Sequence, residues 1–137
     1  MPTAVVTRVF FDTNILLYLI DTDARAARAE ALVKTGGVIS VQVLNEFVAV
    51  ARRRHSLTWD DIHDLLAGFR TQFQIETLTI AVQERAVEIA ATHRVHISDA
   101  NILAAAELAG CRIVYSEDMQ HGQRVGGLTI VNPFAHI

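Results

Sequence analysis

Apolar positions break this chain into short runs suited to strands and longer runs at helical spacing. Arg8-Val9-Phe10-Phe11 is β-branched and aromatic, which predicts a buried strand. After Asp12-Thr13-Asn14, the run Ile15 to Ile20 predicts a helix leaving that strand. Asp23 caps a predicted helix over Ala24 to Lys34, stopped by Gly36-Gly37, and Val38-Ile39 reads as a second buried strand. Ser40 is the expected cap of a helix from Val41 to about His55. Its apolar arc is Val43, Leu44, Phe47, Val50 and Ala51, with Glu46 at the edge. Thr58 with Asp61 resembles a capping box, opening a helix through Ile62, Leu65, Leu66 and Phe69. Phe73 to Glu76 alternates as a third strand. A helix from about Ile80 to Thr92 would bury Val82, Ala86, Ile89 and Ala90. Beyond the loop Arg94 to Ile97, Ser98 is expected to cap a helix from Asp99 to Ala109, ended by Gly110. Its four alanines at 100, 104, 105 and 106 suit close packing on a sheet. Arg112 to Tyr115 and Leu128 to Val131 complete the strands.

Strands alternating with helices predict an α/β fold, a three-layer α/β/α sandwich around a central, mainly parallel sheet. No linker, repeat or low-complexity segment divides the 137 residues, so one domain is expected. Hydrophobic residues make up 51% of the chain, which excludes extended disorder. No apolar run approaches the ~20 residues that span a bilayer, and no signal-peptide pattern opens the chain. A lone cysteine, Cys111, rules out an internal disulfide and fits a reducing compartment, so the cytoplasm is the expected location. The net charge of −3 argues against a broad basic surface. If four acids gather in one pocket, though, the remainder of the molecule is slightly basic.

Four acids do occupy matching positions. Asp12 ends the first strand, Glu46 lies early in the helix after the second, Asp99 sits in the first turn of the alanine-rich helix, and Asp118 follows the Ile113-to-Tyr115 strand. Asp12 taken alone reads equally as a helix cap. In a parallel sheet, however, these positions can converge at the carboxyl ends of the strands, where α/β folds bind ligands. Two carboxylates ~4 Å apart repel by ~4 kcal/mol at an effective dielectric of 20, so a cluster takes up protons or binds a cation. Oxygen-only donors suit Mg²⁺ or Mn²⁺. His55, His63, His93, His96, His121 and His136 show no paired metal-ligand spacing and read as surface or loop residues. Divalent ions on carboxylates act on phosphate oxygens and activate water, which points to phosphodiester hydrolysis.

The runs Phe11-Asp12-Thr13-Asn14, Glu46, Ser98 to Ala106 and Tyr115-Ser116-Glu117-Asp118 resemble, in order, the PIN domain. That is the small metal-dependent ribonuclease fold found in toxins of the VapBC toxin–antitoxin class. The resemblance implies a PIN-like sandwich and a Mg²⁺- or Mn²⁺-dependent endoribonuclease acting on RNA, with a cognate antitoxin as partner and a homodimeric state. Asp12, Glu46, Asp99 and Asp118 would be the metal-binding, catalytic acids, with Asn14 and Ser116 hydrogen-bonding in the pocket. The family's hydroxyl–variable–aspartate pattern selects Asp118, leaving Glu117 as a fifth acid or an exposed residue. The alternative is a PIN-like RNA- or protein-binding module with little or no cleavage.

Arg52-Arg53-Arg54-His55 is the one dense basic run. Arg53, seven residues after Glu46, falls on nearly the same side of the helix and would reach a phosphate flanking the acids. As a solvated helix end the run needs no function. Trp59 reads as an exposed stacking residue or as helix-start packing. Gly122, Gly126 and Gly127 form no phosphate-binding pattern and shape a loop. Aspartyl phosphotransfer is disfavoured, because Lys34 is the only lysine and follows no late strand, and Asn14 stands two residues beyond Asp12.

Overall fold

Phe10 and Phe11 point to opposite faces of the first strand and both are fully buried, so the sheet around them is covered on both sides. The computed structural model describes residues 7–135, and His136 lies outside them. Six strands form one sheet: β1 (Val9–Phe11), β2 (Val38–Ser40), β3 (Gln74–Glu76), β4 (Ile113–Tyr115), β5 (Arg124–Val125) and β6 (Leu128–Val131). Their order is β3-β2-β1-β4-β6-β5, with every pairing parallel except β5 against β6. The α/β class and the mainly parallel central sheet are as expected.

The helices are α1 (Thr13–Tyr18), α2 (Ala24–Val33), α3 (Val41–Arg54), α4 (Trp59–Gln72), α5 (Ile80–His93) and α6 (Ile97–Leu108). Asp23 caps α2, and Thr58 with Asp61 forms the full capping box of α4. Ser40 is at once the last residue of β2 and the cap of α3, accepting from the Val43 amide at 3.3 Å. Besides α1, which spans Thr13–Tyr18 rather than Ile15 to Ile20, three details depart from the pattern reading. First, α6 begins two residues early, because the chain reverses at Arg94 (φ 55°) and the Ala100 amide already bonds the His96 carbonyl. Ser98 therefore lies inside the first turn and caps nothing. Second, Phe73 ends α4 instead of opening β3, its amide donating to the Phe69 carbonyl. Third, β5 was not expected. Two residues carry no readable alternation, and the strand exists because Gly126-Gly127 turns Val125 back onto Leu128.

Two crossovers, through α1–α2 and α3–α4, step from β1 to β2 and on to β3. The third, through α5–α6, returns past β1 to β4. Right-handed crossovers then place the first four helices on one face and the last pair on the other. The packing agrees: α1 contacts α2 and α3, α3 contacts α4, and α5 lies along α6. The strand order reverses between β1 and β4, which makes their carboxyl ends the switch point where α/β sheets hold ligands. Among the described residues, no helix is long and apolar enough to cross a membrane.

Candidate active site

Asp12 sits at that switch point, one residue beyond β1. Its amide continues the sheet by donating to the Tyr115 carbonyl at 3.0 Å, and its extended backbone turns into α1. Both carboxylate oxygens are held. Oδ1 accepts from the Thr13 amide at 2.7 Å and Oδ2 from the Ser116 hydroxyl at 2.8 Å. Asp12 thus caps a helix and also belongs to the acidic group. Ser116 is fully buried, and its Oγ further accepts from the Asp118 and Met119 amides. One hydroxyl therefore ties the loop after β4 to the first acid.

Each other acid has its own support. Glu46 accepts from the Thr13 hydroxyl at 2.8 Å and from the Gln42 amide at 2.9 Å, and Gln42 also donates to the Ser98 carbonyl at 3.1 Å. That bridge links α3 to the first turn of α6, where Asp99 stands half-buried. Asp118 is exposed and accepts from the Asn14 side-chain amide at 3.0 Å, while the Asn14 carbonyl oxygen takes the Glu117 amide at 3.3 Å. Glu117 faces elsewhere. It accepts from the Tyr18 hydroxyl and pairs with Arg25 at 3.3 Å, and Arg25 in turn donates to Tyr18. Burial and the Glu117 hydrogen bond hold the Tyr18 phenol up at about 12, so it stays a donor.

The electrostatics show that the acids share a neighbourhood. Burial pushes the Asp12 carboxyl up to about 6 against its two hydrogen bonds, with the charges of Glu46 and Asp118 adding to the rise. Burial also raises Asp99; His96 opposes the shift, and Asp118 and Glu46 reinforce it. Among the described residues, none of the four forms a salt bridge. An uncompensated set of oxygen donors fits a hard divalent cation. The carboxylates are not drawn into a preformed cage, since no group of three or more His, Cys, Asp or Glu stands in metal-holding geometry among the described residues. Mg²⁺, which retains several waters, needs few direct ligands.

Beside the acids opens a cleft of ≈570 Å³ between α1 and α3. Asn14, Glu46, Glu117 and Asp118 line it together with Arg53, Arg54 and His55. Arg53 thus lines the same cleft as Glu46 and Asp118. Arg52 does not take part: it lies over the Trp59 ring at 4.5 Å and donates to the Leu57 carbonyl, leaving Trp59 57% exposed on its other side. Sequence reasoning missed Thr13, Gln42, Tyr18 and Arg25. Gln42 is four residues before Glu46, a spacing that would have flagged it. The others are joined only by tertiary contact. Of the histidines, His121 accepts the Asn132 amide and is structural, whereas His55 and His96 stand near the acids.

Fold and site together define an α/β domain with an acidic pocket at the switch point of a parallel sheet. A family model for the PIN domain matches residues 9–125, and the chain belongs to the PIN domain family. Similar solved structures include a toxin–antitoxin complex from Klebsiella pneumoniae, with 22% identity, coverage of 91% of this chain and 97% of that one, and a TM-score of 0.72. Another is Mycobacterium tuberculosis VapC20, a sarcin–ricin loop cleaving toxin, with 24% identity, 80% and 89% coverage, and a TM-score of 0.68. VapBC-1 from nontypeable Haemophilus influenzae matches at 15% identity, 93% and 99% coverage, and a TM-score of 0.71. At these identities the likeness is one of fold. No curated protein matches the sequence.

Proposed function

We propose that this chain is a Mg²⁺- or Mn²⁺-dependent endoribonuclease, the toxin of a toxin–antitoxin pair. The observation that carries the reading is that Asp12, Glu46, Asp99 and Asp118 have no salt-bridge partner among the described residues, while the charges of Glu46 and Asp118 bear on both Asp12 and Asp99. A divalent ion among them would supply Lewis-acid polarisation of a phosphate and a lowered pKa for an attacking water. Asp12, fixed by Thr13 and Ser116, and Asp99 and Asp118 are the donors for that ion. Glu46, aimed by Thr13 and Gln42, binds it or orients the water. Asn14 sets the Asp118 rotamer, and Arg53 takes a phosphate flanking the scissile bond. Glu117, engaged by Tyr18 and Arg25, serves as a brace rather than a ligand.

An antitoxin partner is supported by the solved relatives, several of which are toxin–antitoxin assemblies. A cytoplasmic homodimer completes the proposal; a monomer by sedimentation would remove that part. The deciding experiment is RNA cleavage by protein free of contaminating nuclease. Activity in Mg²⁺ that EDTA abolishes is expected, and Asp99→Asn should lower it by orders of magnitude. Undiminished cleavage in EDTA would overturn the metal mechanism.

A further inference from the structure

Asp118 borders two clefts. One is the ≈570 Å³ cleft lined by α1 and α3; the second, ≈290 Å³, is lined by the α5–α6 turn and the loop after β4. Glu46 lines only the first cleft and Asp99 only the second, so Asp118, which lines both, stands on the divide between them. A linear polymer laid with one phosphodiester on that divide leaves it in both directions, one flank entering each cleft.

The second cleft differs in chemistry from the first. Val95, Leu103, Met119 and Ile130 give it an apolar floor, and Arg94, His93, His96, Gln120 and Gln123 stand around it. Among the described residues, the side chains of Arg94, Gln120 and Gln123 make no hydrogen bond or ion pair. The loop that carries the two glutamines is nonetheless fixed: the Gly122 amide donates to the Ile130 carbonyl at 2.7 Å and the Ile130 amide to the Gln123 carbonyl at 2.9 Å. Arg94 is held at φ 55°, a conformation glycine adopts more readily. At ≈290 Å³ the space is at the small end of ligand pockets. An apolar floor, imidazole rings and free amides on a rigid loop are what hold and read one unstacked base of single-stranded RNA.

We propose that this second cleft receives the nucleotide on one flank of the scissile phosphodiester and reads its base through Gln120 and Gln123, with Arg94 on the adjoining phosphate. The assignment rests on the ribonuclease reading for the scissile bond, but not for RNA binding.

The test uses the full chain and two readouts. In EDTA, fluorescein-labelled hexanucleotides of A, C, G or U are titrated at several salt concentrations. The wild type should favour one base by roughly fivefold or more. Gln120→Ala/Gln123→Ala should bind all four alike. Arg94→Gly should reduce the log–log salt slope by about 0.7, with an unchanged or higher melting temperature because glycine accepts that backbone. In Mg²⁺, sequencing of product ends should show a base preference on one side of the cut, erased in the double variant. Preference retained in that variant, preference lost on both sides together, or no binding of any hexanucleotide would overturn the proposal. So would an unchanged salt slope in Arg94→Gly. Base-selective binding without cleavage in Mg²⁺ would sustain the cleft assignment and sink the ribonuclease reading instead.

Discussion

Asp12 carries three duties at once: helix cap, hydrogen-bond partner of Ser116 and member of a like-charged group. Burial lifts its folded-state pKa from 3.8 to about 6, so the folded protein holds that proton more tightly than the unfolded chain does. In EDTA, stability should therefore fall as pH rises from about 4 to about 6 and level off above. The slope is set by the excess protons of the native state, and the total is at most roughly 3 kcal/mol. Asp12→Asn keeps an acceptor for the Thr13 amide and removes the charge. Its melts should lose most of this pH dependence and lie above wild type at pH 7. Melting curves of the two proteins that track each other across pH 4–7 would show that Asp12 is not strained. Glu117 and Asp118 make a second contrast. Glu117→Gln should retain most RNA cleavage, because its oxygens serve Tyr18 and Arg25, whereas Asp118→Asn should lose activity by orders of magnitude. Equal losses in initial-rate assays would refute the division of labour.

At the scale of elements, β1 is the strand on which the others depend, pairing with β2 on one side and β4 on the other. The chain enters β2 through Gly37, and a Cβ there would lie 2.5 Å from Phe11 Cε2 and 3.0 Å from the Val9 carbonyl oxygen. Gly37→Ala should thus destabilise by about 1–3 kcal/mol, read as a lower denaturant midpoint at unchanged m-value. Because Phe11 adjoins Asp12, RNA cleavage should fall with it. On α3, Arg53 faces the cleft while Arg52 is committed to Trp59 and Leu57. Arg53→Ala is expected to weaken RNA binding with a shallower salt slope and unaltered metal affinity. An unchanged slope would return Arg53 to the class of solvated helix-end charges.

For the molecule as a whole, the proposed reading makes the acids a source of instability that a cation would relieve. On the proposed reading Mg²⁺ binds the folded chain alone, so it should raise the wild-type melting temperature, by the equivalent of about 2.7 kcal/mol at a hundredfold excess over Kd. The rise should be smaller in Asp12→Asn, whose metal-free form already melts higher. Calorimetry with and without Mg²⁺ on both proteins checks this. Acids that were only helix caps would give the reverse, a lower melt for the variant and no response to the ion in either.

The sequence alone determined the elements whose signals are local. Capping residues marked the starts of α2, α3 and α4, helical periodicity marked the bodies of α3 and α5, and β-branched runs marked β1, β4 and β6. It also marked the four acids by their places at strand ends and early in helices, since each is read from the residues immediately around it. What it could not carry was anything set by residues distant in the chain. The Thr13–Glu46 and Tyr18–Glu117 bonds span 33 and 99 positions. The early start of α6 follows from the Arg94 reversal and the Gln42–Ser98 bridge, and β5 from a hairpin two residues wide. Side-chain direction was the last thing decided. For the adjacent acids Glu117 and Asp118, the motif pattern selects Asp118 but leaves the direction of Glu117 open. Only the tertiary contacts of α1 and α2 give Glu117 to Tyr18 and Arg25 at the wall of the first cleft, and leave Asp118 bordering both clefts.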